Sequence, residues 1–247
     1  MLVCISIELL QPSFELVHQF SFFDKAKLLQ TSPFRPRPWP DPDRSHKLLK
    51  SGFKVVATKE ALRSEYRRIR HGLMPKLNAS LVESVLAHLN AQGPPHHHGA
   101  IGITWPLPGE PDLRLLAELQ PAPLALPATA ADYSVTYHAW REAPSPRELR
   151  GDAFSIPAPL TSPALKPTEL SLLLIPALAV DRNGMRLGYG GGCYDRLLSQ
   201  PGWSTLPTFA VLPEACVHPT LLPAEPWDQP LDGWITEQGC RLRRASH

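Results

Sequence analysis

Between Arg186 and Asp195 the chain reads RLGYGGGCYD, which places four glycines between a cation and a carboxylate. Glycine lets a backbone approach an anion closely and adopt angles closed to other residues. The preceding run, Leu172 to Pro176, is short and apolar, the pattern of a buried strand. A polar turn, Asp181-Arg182-Asn183-Gly184, lies between the strand and the glycines. Tyr194 to Leu198 then read as the first turns of a helix. Strand, glycine-rich loop and helix start together form an arrangement that binds phosphate through free N–H groups. Arg186 can add a charge-assisted contact, and Asp195 can offer an oxygen to a phosphate-bound magnesium ion. The loop fits neither GxGxxG nor GxxxxGK[ST]. On its residues alone, a glycine-rich surface turn is the other reading.

The string RLGYGGGCYDRLL, preceded by IPALAVDRNG, resembles the signature of the 5-formyltetrahydrofolate cyclo-ligase (5,10-methenyltetrahydrofolate synthetase) family. That family shows a PGLAFD segment followed by RLGYGGGYYDR. Ala177 stands here for the family's glycine, and Cys193 for the first of its two tyrosines. Further landmarks follow in order over roughly residues 59 to 238.

The elements that would position these groups follow from periodicity. Thr58 is an expected N-cap, and Leu62, Tyr66, Ile69 and Leu73 form an apolar stripe. Lys59, Arg63, Arg67 and Arg70 occupy an adjacent face, which on charge alone is a solvated surface. The resemblance implies that Lys59 and Arg63 contact ATP phosphates and carries no role to Arg67 or Arg70. Gly72 and Pro75 are expected to end that helix, with a second over Ser80 to Leu89. Ala100 to Thr104 reads as a strand, and Pro111 as the first residue of a helix bearing Leu113, Leu116 and Leu119. Leu124 to Leu126 is a short strand running into Pro127, Tyr133 to Trp140 a half-buried antiparallel one, and Thr208 to Leu212 another.

The resemblance implies further roles. Glu110 matches a substrate-contacting glutamate, Trp105 a residue lining the pterin site, and Phe154 an aromatic near the folate ring. For Trp105, ordinary core is the competing reading. Tyr189, Gly190, Gly191, Gly192 and Cys193 would face both substrate and nucleotide. Gly188 and Tyr194 join the ATP-binding set, and Arg186 and Tyr194 are the expected catalytic groups. Asp195 and Asp232 would hold Mg2+, although Asp232 also reads as a turn residue before a strand. Ala128 and Thr129 replace an arginine and a hydrophobic residue of many relatives, which removes one contact to an acidic ligand. Cys193 reads as a passive replacement, not a nucleophile.

Alternating short strands and helices imply an α/β fold: a mostly parallel sheet covered on both faces, with an antiparallel addition near Tyr133. The resemblance implies a three-layer form akin to sugar-phosphate isomerase and coenzyme A transferase folds. The implied reaction is ATP- and Mg-dependent cyclisation of 5-formyltetrahydrofolate to 5,10-methenyltetrahydrofolate. The alternatives are a non-catalytic folate- or nucleotide-binding relative, or a sugar-phosphate isomerase on the same architecture.

The 247 residues suit one domain plus an extension. Residues 1–50, with the proline- and charge-rich stretch SPFRPRPWPDPDRS, are expected to be a disordered or loosely docked extension, and 51–247 the catalytic domain. The net charge of +2 gives no reason to expect nucleic acid or membrane partners. The four cysteines have neither zinc nor disulfide spacing. The triplet His96, His97, His98 cannot converge on one ion from a single loop. With no apolar run of membrane length and a poor signal sequence, a cytoplasmic monomer acting on small molecules is expected.

Overall fold

The computed structural model describes residues 58–91, 99–140 and 149–244. The expected extension over 1–50 and the His96–His98 triplet lie outside them.

Seven strands form one sheet. They are β1 (Ala100–Gly102), β2 (Leu124–Thr129), β3 (Val135–Trp140), β6 (Leu170–Ile175), β9 (Thr208–Val211), β10 (Gly233–Thr236) and β11 (Gly239–Leu242). Their spatial order is β11-β10-β9-β6-β1-β2-β3. Neighbours from β10 through β2 pair in parallel, while β11 and β3 close the two edges antiparallel. Two small hairpins complete the β structure: β4 (Arg150–Gly151) with β5 (Pro157–Ala158), and β7 (Ala179–Val180) with β8 (Arg186–Leu187).

Strand alternation sorts the core into two layers. Leu173 and Ile175 point into one cluster with Tyr137, Leu187 and Leu197. Leu172 and Leu174 point into the other with Ile101, Leu116, Phe209 and Ile235. Helix α2 (Leu116–Leu119) belongs to the second layer, and α3 (Cys193–Leu198) to the first. The fold is therefore three-layered α/β, as expected.

The long helix α1 (Lys59–Ala91) serves both layers. Leu62 and Tyr66 pack in the first, and Met74, Leu81, Val82 and Val85 in the second. The expected break at Gly72 and Pro75 does not occur, because Pro75 lies inside one 33-residue helix. An interior proline costs about 3 kcal/mol. Burial of Leu81, Val82 and Val85, at about 1.5–3 kcal/mol each, outweighs that cost. The N-cap is as expected: the Ala61 amide donates to Thr58 Oγ1 at 3.2 Å.

Two other boundaries moved. The chain between Pro111 and Leu115 is not helical, and α2 begins only at Leu116. Strand β2 runs through Pro127 to Thr129. Its register with β1 covers Leu124 and Ala125, whereas Pro127 pairs only with Tyr137 of β3. Pro127 thus sits where the strand has become an edge, and its missing N–H breaks no ladder.

Candidate active site

Strands β1, β2 and β6 run parallel, and the segments at their carboxyl ends line one cavity of about 260 Å³. Open α/β sheets bind ligands in this place. Trp105 and Glu110 follow β1, Pro127 and Thr129 close β2, and Pro176 follows β6. The glycine run crosses the opening, and the start of α1 supplies Lys59 and Arg63.

The hairpin that delivers the glycine run is fixed by Asp181, which is fully buried. Its Oδ1 accepts from the amides of Asn183 at 2.8 Å and Met185 at 3.1 Å, and its Oδ2 from Leu222 at 2.8 Å. This carboxylate tightens the β7–β8 turn and aims Arg186 toward α3. Arg186 Nη2 lies 2.8 Å from Asp195 Oδ1, and its Nη1 donates to the Gln229 carbonyl at 2.9 Å. The Gln229 amide in turn donates to Asp195 Oδ1 at 3.0 Å. In the loop itself, Gly190 has φ 105° and Gly192 φ 66°, angles that strain any other residue.

The first turn of α1 adds two cations. Lys59 Nζ pairs with Asp228 Oδ2 at 2.6 Å. Arg63 Nε donates to the Gly188 carbonyl at 3.0 Å, which ties helix to loop. Burial lowers the Arg63 pKa, opposed by the negative charges of Glu60 and Asp228.

Glu110 is buried, and both of its oxygens are engaged. Oε2 accepts from the Leu107 amide at 2.8 Å, and Oε1 from the Tyr189 hydroxyl at 2.5 Å. Arg70 completes the group: its Nη1 donates to the Ala177 carbonyl at 2.8 Å, and its Nη2 to the Tyr189 hydroxyl. The expected solvated basic face therefore fails at Arg70, which is 1% exposed. Burial and the Glu110 charge push the Tyr189 phenol well above its ordinary pKa. Tyr189 as a whole residue is 38% exposed, with the Arg67 and Arg70 guanidinium groups 5.9 and 5.5 Å from its ring centroid.

Tyr194 lines the cavity, and its hydroxyl lies 3.4 Å from that of Tyr137. Burial raises its pKa, so it stays protonated and able to donate. Burial also raises the Cys193 thiol, which disfavours the nucleophilic thiolate. Trp105 lines the cavity with the Arg114 guanidinium 4.4 Å from its ring centroid.

Of the residues expected at the site, two lie outside the cavity lining. Phe154 packs against Tyr133, with ring centroids 5.3 Å apart, and Ile156 faces the cavity instead. Asp232 Oδ2 accepts from the Thr208 amide at 2.9 Å and its hydroxyl at 3.1 Å, binding β9 to the entry of β10. Sequence reasoning missed Arg70, Asp152, Trp227 and Asp228. Only Arg70 carried a signal, its seven-residue spacing from Arg63 on one helix face.

Among the described residues, no group of three or more His, Cys, Asp or Glu is placed to hold a metal ion. At the phosphate end of the cavity, Asp195 closes the glycine run and Asp228 is paired with Lys59. That donor set fits magnesium carried on nucleotide phosphates, which needs one or two protein carboxylates and keeps its waters.

Comparison with known proteins agrees with this geometry. A family model described as the 5-formyltetrahydrofolate cyclo-ligase family matches residues 55–237. The 5-formyltetrahydrofolate cyclo-ligase of Haemophilus influenzae is 44% identical over 64 residues, 26% of this chain and 33% of that protein. The Escherichia coli K12 protein of the same name is 40% identical over 70 residues, 28% of this chain and 37% of its own length. These alignments thus span little more than a third of the curated relatives. The solved structure of Aquifex aeolicus 5,10-methenyltetrahydrofolate synthetase superposes with TM-score 0.63 at 28% identity, covering 76% of this chain and 94% of that one. A Mycoplasma pneumoniae structure shares the fold, with TM-score 0.57 at 19% identity, covering 73% of this chain and 99% of that one. The family match takes in the glycine run, both cations of α1 and the β1–β2–β6 cavity, and the chain belongs to the 5-formyltetrahydrofolate cyclo-ligase family.

Proposed function

We propose that this chain closes 5-formyltetrahydrofolate to 5,10-methenyltetrahydrofolate at the expense of ATP, releasing ADP and phosphate. The observation that carries the reading is the convergence of Lys59, Arg63, Arg186 and the Gly188–Gly192 run on one cavity that also holds Glu110 and Trp105. One end of this cavity suits a polyphosphate, and the other an aromatic, hydrogen-bonding ring.

The chemical obstacle is an amide-like formyl carbon whose oxygen leaves poorly. Transfer of the γ-phosphoryl group to that oxygen, with ADP departing, converts it into a phosphate ester. N10 then attacks the carbon, the C–O bond breaks, phosphate leaves, and the N10 proton passes to solvent. Phosphoryl transfer asks the protein for placement and charge neutralisation more than covalent help. Lys59, Arg63 and Arg186 supply positive charge, and the loop amides supply close donors. Asp195 would hold Mg2+, which spreads the charge of the phosphates. Tyr194 donates toward the transferred oxygen, while Glu110 and Trp105 orient the pterin.

Residues 51–247 form the catalytic unit in this reading, which acts as a monomer on small molecules. Cys193, Cys216 and Cys240 are free, which suits the reducing cytoplasm. No helix among the described residues is long and apolar enough to cross a membrane.

The test is to mix the protein with 5-formyltetrahydrofolate and MgATP and follow the methenyl chromophore. Stoichiometric ADP should accompany it. Binding of both ligands without chromophore would mean a non-catalytic relative, and isomerisation of a sugar phosphate without ATP would replace the reading altogether.

A further inference from the structure

Among the described residues, Arg70 is the largest charged group in the interior, 1% exposed and eleven residues beyond Lys59. It joins three segments around the cavity. Nη1 reaches the Ala177 carbonyl just past β6, at 2.8 Å. Nη2 reaches the Tyr189 hydroxyl within the glycine run and lies 4.0 Å from Glu110 Oε1. The same hydroxyl donates to that Glu110 oxygen at 2.5 Å. Arg70 Nε has no hydrogen-bond partner, so the guanidinium retains a buried, unsatisfied donor.

A buried charge of this kind is expensive, and burying a donor without a partner adds to the cost. A hydrophobic residue at position 70 would fill the space more cheaply for folding alone. What a hydrocarbon cannot do is hold a phenol oxygen and a strand-end carbonyl with one rigid fork. The Tyr189 hydroxyl has one proton, which goes to Glu110, so its lone pair needs a donor from the protein. Arg70 is that donor.

We infer that Arg70 is a positioning residue for both ends of the site, acting through the Tyr189 hydroxyl. Tyr189 belongs to the phosphate-binding run, and Glu110 to the pterin end. The phenol bridges them, and Arg70 fixes the bridge against the end of β6. The glycine run cannot then settle independently of Glu110. Loss of either Arg70 or the hydroxyl loosens both ends together, whereas loss of Lys59 acts on the phosphate end alone. This role rests on the proposed reaction only for the identity of the two ligands.

The experiment measures dissociation constants for 5-formyltetrahydrofolate alone and MgATP alone. The proteins are wild type, Arg70→Met, Tyr189→Phe and the double variant. Each single change should weaken both ligands about tenfold, the scale of one charge-assisted hydrogen bond. The double variant should bind nearly as well as the worse single one, since both remove the same bridge. Tyr189→Phe leaves buried Arg70 Nη2 and Glu110 Oε1 without their shared partner, so its melting temperature should fall by a few degrees while the fold persists. Should Arg70→Met fail to fold, Arg70→Lys takes its place in the cycle, since lysine keeps the charge but lacks the fork. Additive losses, or a loss confined to one ligand in Tyr189→Phe, would overturn the inference. A wild-type protein that binds neither ligand would overturn the proposed function and this role together. Binding of both ligands by wild type, undiminished in Tyr189→Phe, would remove the role of Arg70 and leave the proposed function standing.

Discussion

Lys59 Nζ and Asp228 Oδ2 lie 2.6 Å apart across 169 residues of sequence, one at the start of α1 and the other in the loop before β10. Asp228 Oδ2 also accepts from the Glu225 amide at 2.8 Å, so the carboxylate is held in place by its own loop. Both residues line the cavity beside the glycine run. A triphosphate entering there competes with Asp228 for the lysine and meets the carboxylate's like charge. Asp228→Asn should therefore lower the dissociation constant for ATP several-fold. It should cost little stability, because partly exposed pairs contribute about 0–1 kcal/mol. Calorimetric titration with ATP decides the matter, and weaker binding in the variant would show that Asp228 supports the nucleotide instead of opposing it.

The cations of α1 should act on one ligand only. Arg63 holds the Gly188 carbonyl and Lys59 faces the same end of the cavity, whereas Glu110 and Trp105 belong to the other. Lys59→Ala combined with Arg63→Ala should raise the KM for ATP by roughly tenfold or more, since charged hydrogen bonds are worth about 1.5–3 kcal/mol each. The KM for 5-formyltetrahydrofolate should stay within about twofold. Equal rises in both constants would contradict a phosphate role.

Cys193 opens α3 at the cavity, where a thiolate would be reactive. Burial is the largest influence and raises its pKa, Asp195 adds to it, and Arg196 and Arg186 oppose. The sign follows directly: a raised pKa leaves the thiol protonated at neutral pH, and thiolate forms only above the usual cysteine range. Alkylation of Cys193 by iodoacetamide should be slower than that of a free thiol at pH 7.5. Its rate should still be climbing at a pH where the free thiol has levelled off. Mass mapping of the modified peptide against pH gives the answer, and fast labelling at neutral pH would show a thiolate stabilised by the arginines.

The two halves of the site differ in how far they could be read from residues alone. The strand, turn, glycine run and helix start expected from Leu172 to Leu198 are contiguous, so local patterning reveals them; the structure starts the strand at Leu170, forms the β7–β8 hairpin around the turn and begins the helix at Cys193. Thr58 as N-cap is local in the same sense. Arg70 and Asp228 are different, because each acts through a partner more than 100 residues away in sequence. Charge patterning on a helix cannot say which cation turns inward, and one aspartate in a proline-rich loop has no period to mark it. Phe154 fails for a related reason. The sharp turn after β4, with Ser155 at φ 59°, sets Phe154 against Tyr133 and gives the cavity to Ile156. The continuity of α1 was hidden because Gly72 and Pro75 are local stop signals, and tertiary packing overrides them.

That override makes a prediction about stability. Pro75 is exposed inside α1, and a Cβ placed on Gly72 would meet nothing within 4 Å. Each penalises the helix: glycine by about 1 kcal/mol and proline by about 3 relative to alanine. Pro75→Ala should therefore return up to about 3 kcal/mol and Gly72→Ala up to about 1. Only Pro75→Ala restores a missing N–H donor, whereas Gly72→Ala acts through backbone entropy; because the two sites lie within one turn, the double variant measures the coupling between them. Urea denaturation of the single and double variants tests this through the midpoint, with an unchanged slope showing that the same surface is still exposed on unfolding. A lower midpoint for Pro75→Ala would mean that α1 needs a bend at this position to reach both core layers. In that case Met74, Leu81 and Val85 would be the residues displaced.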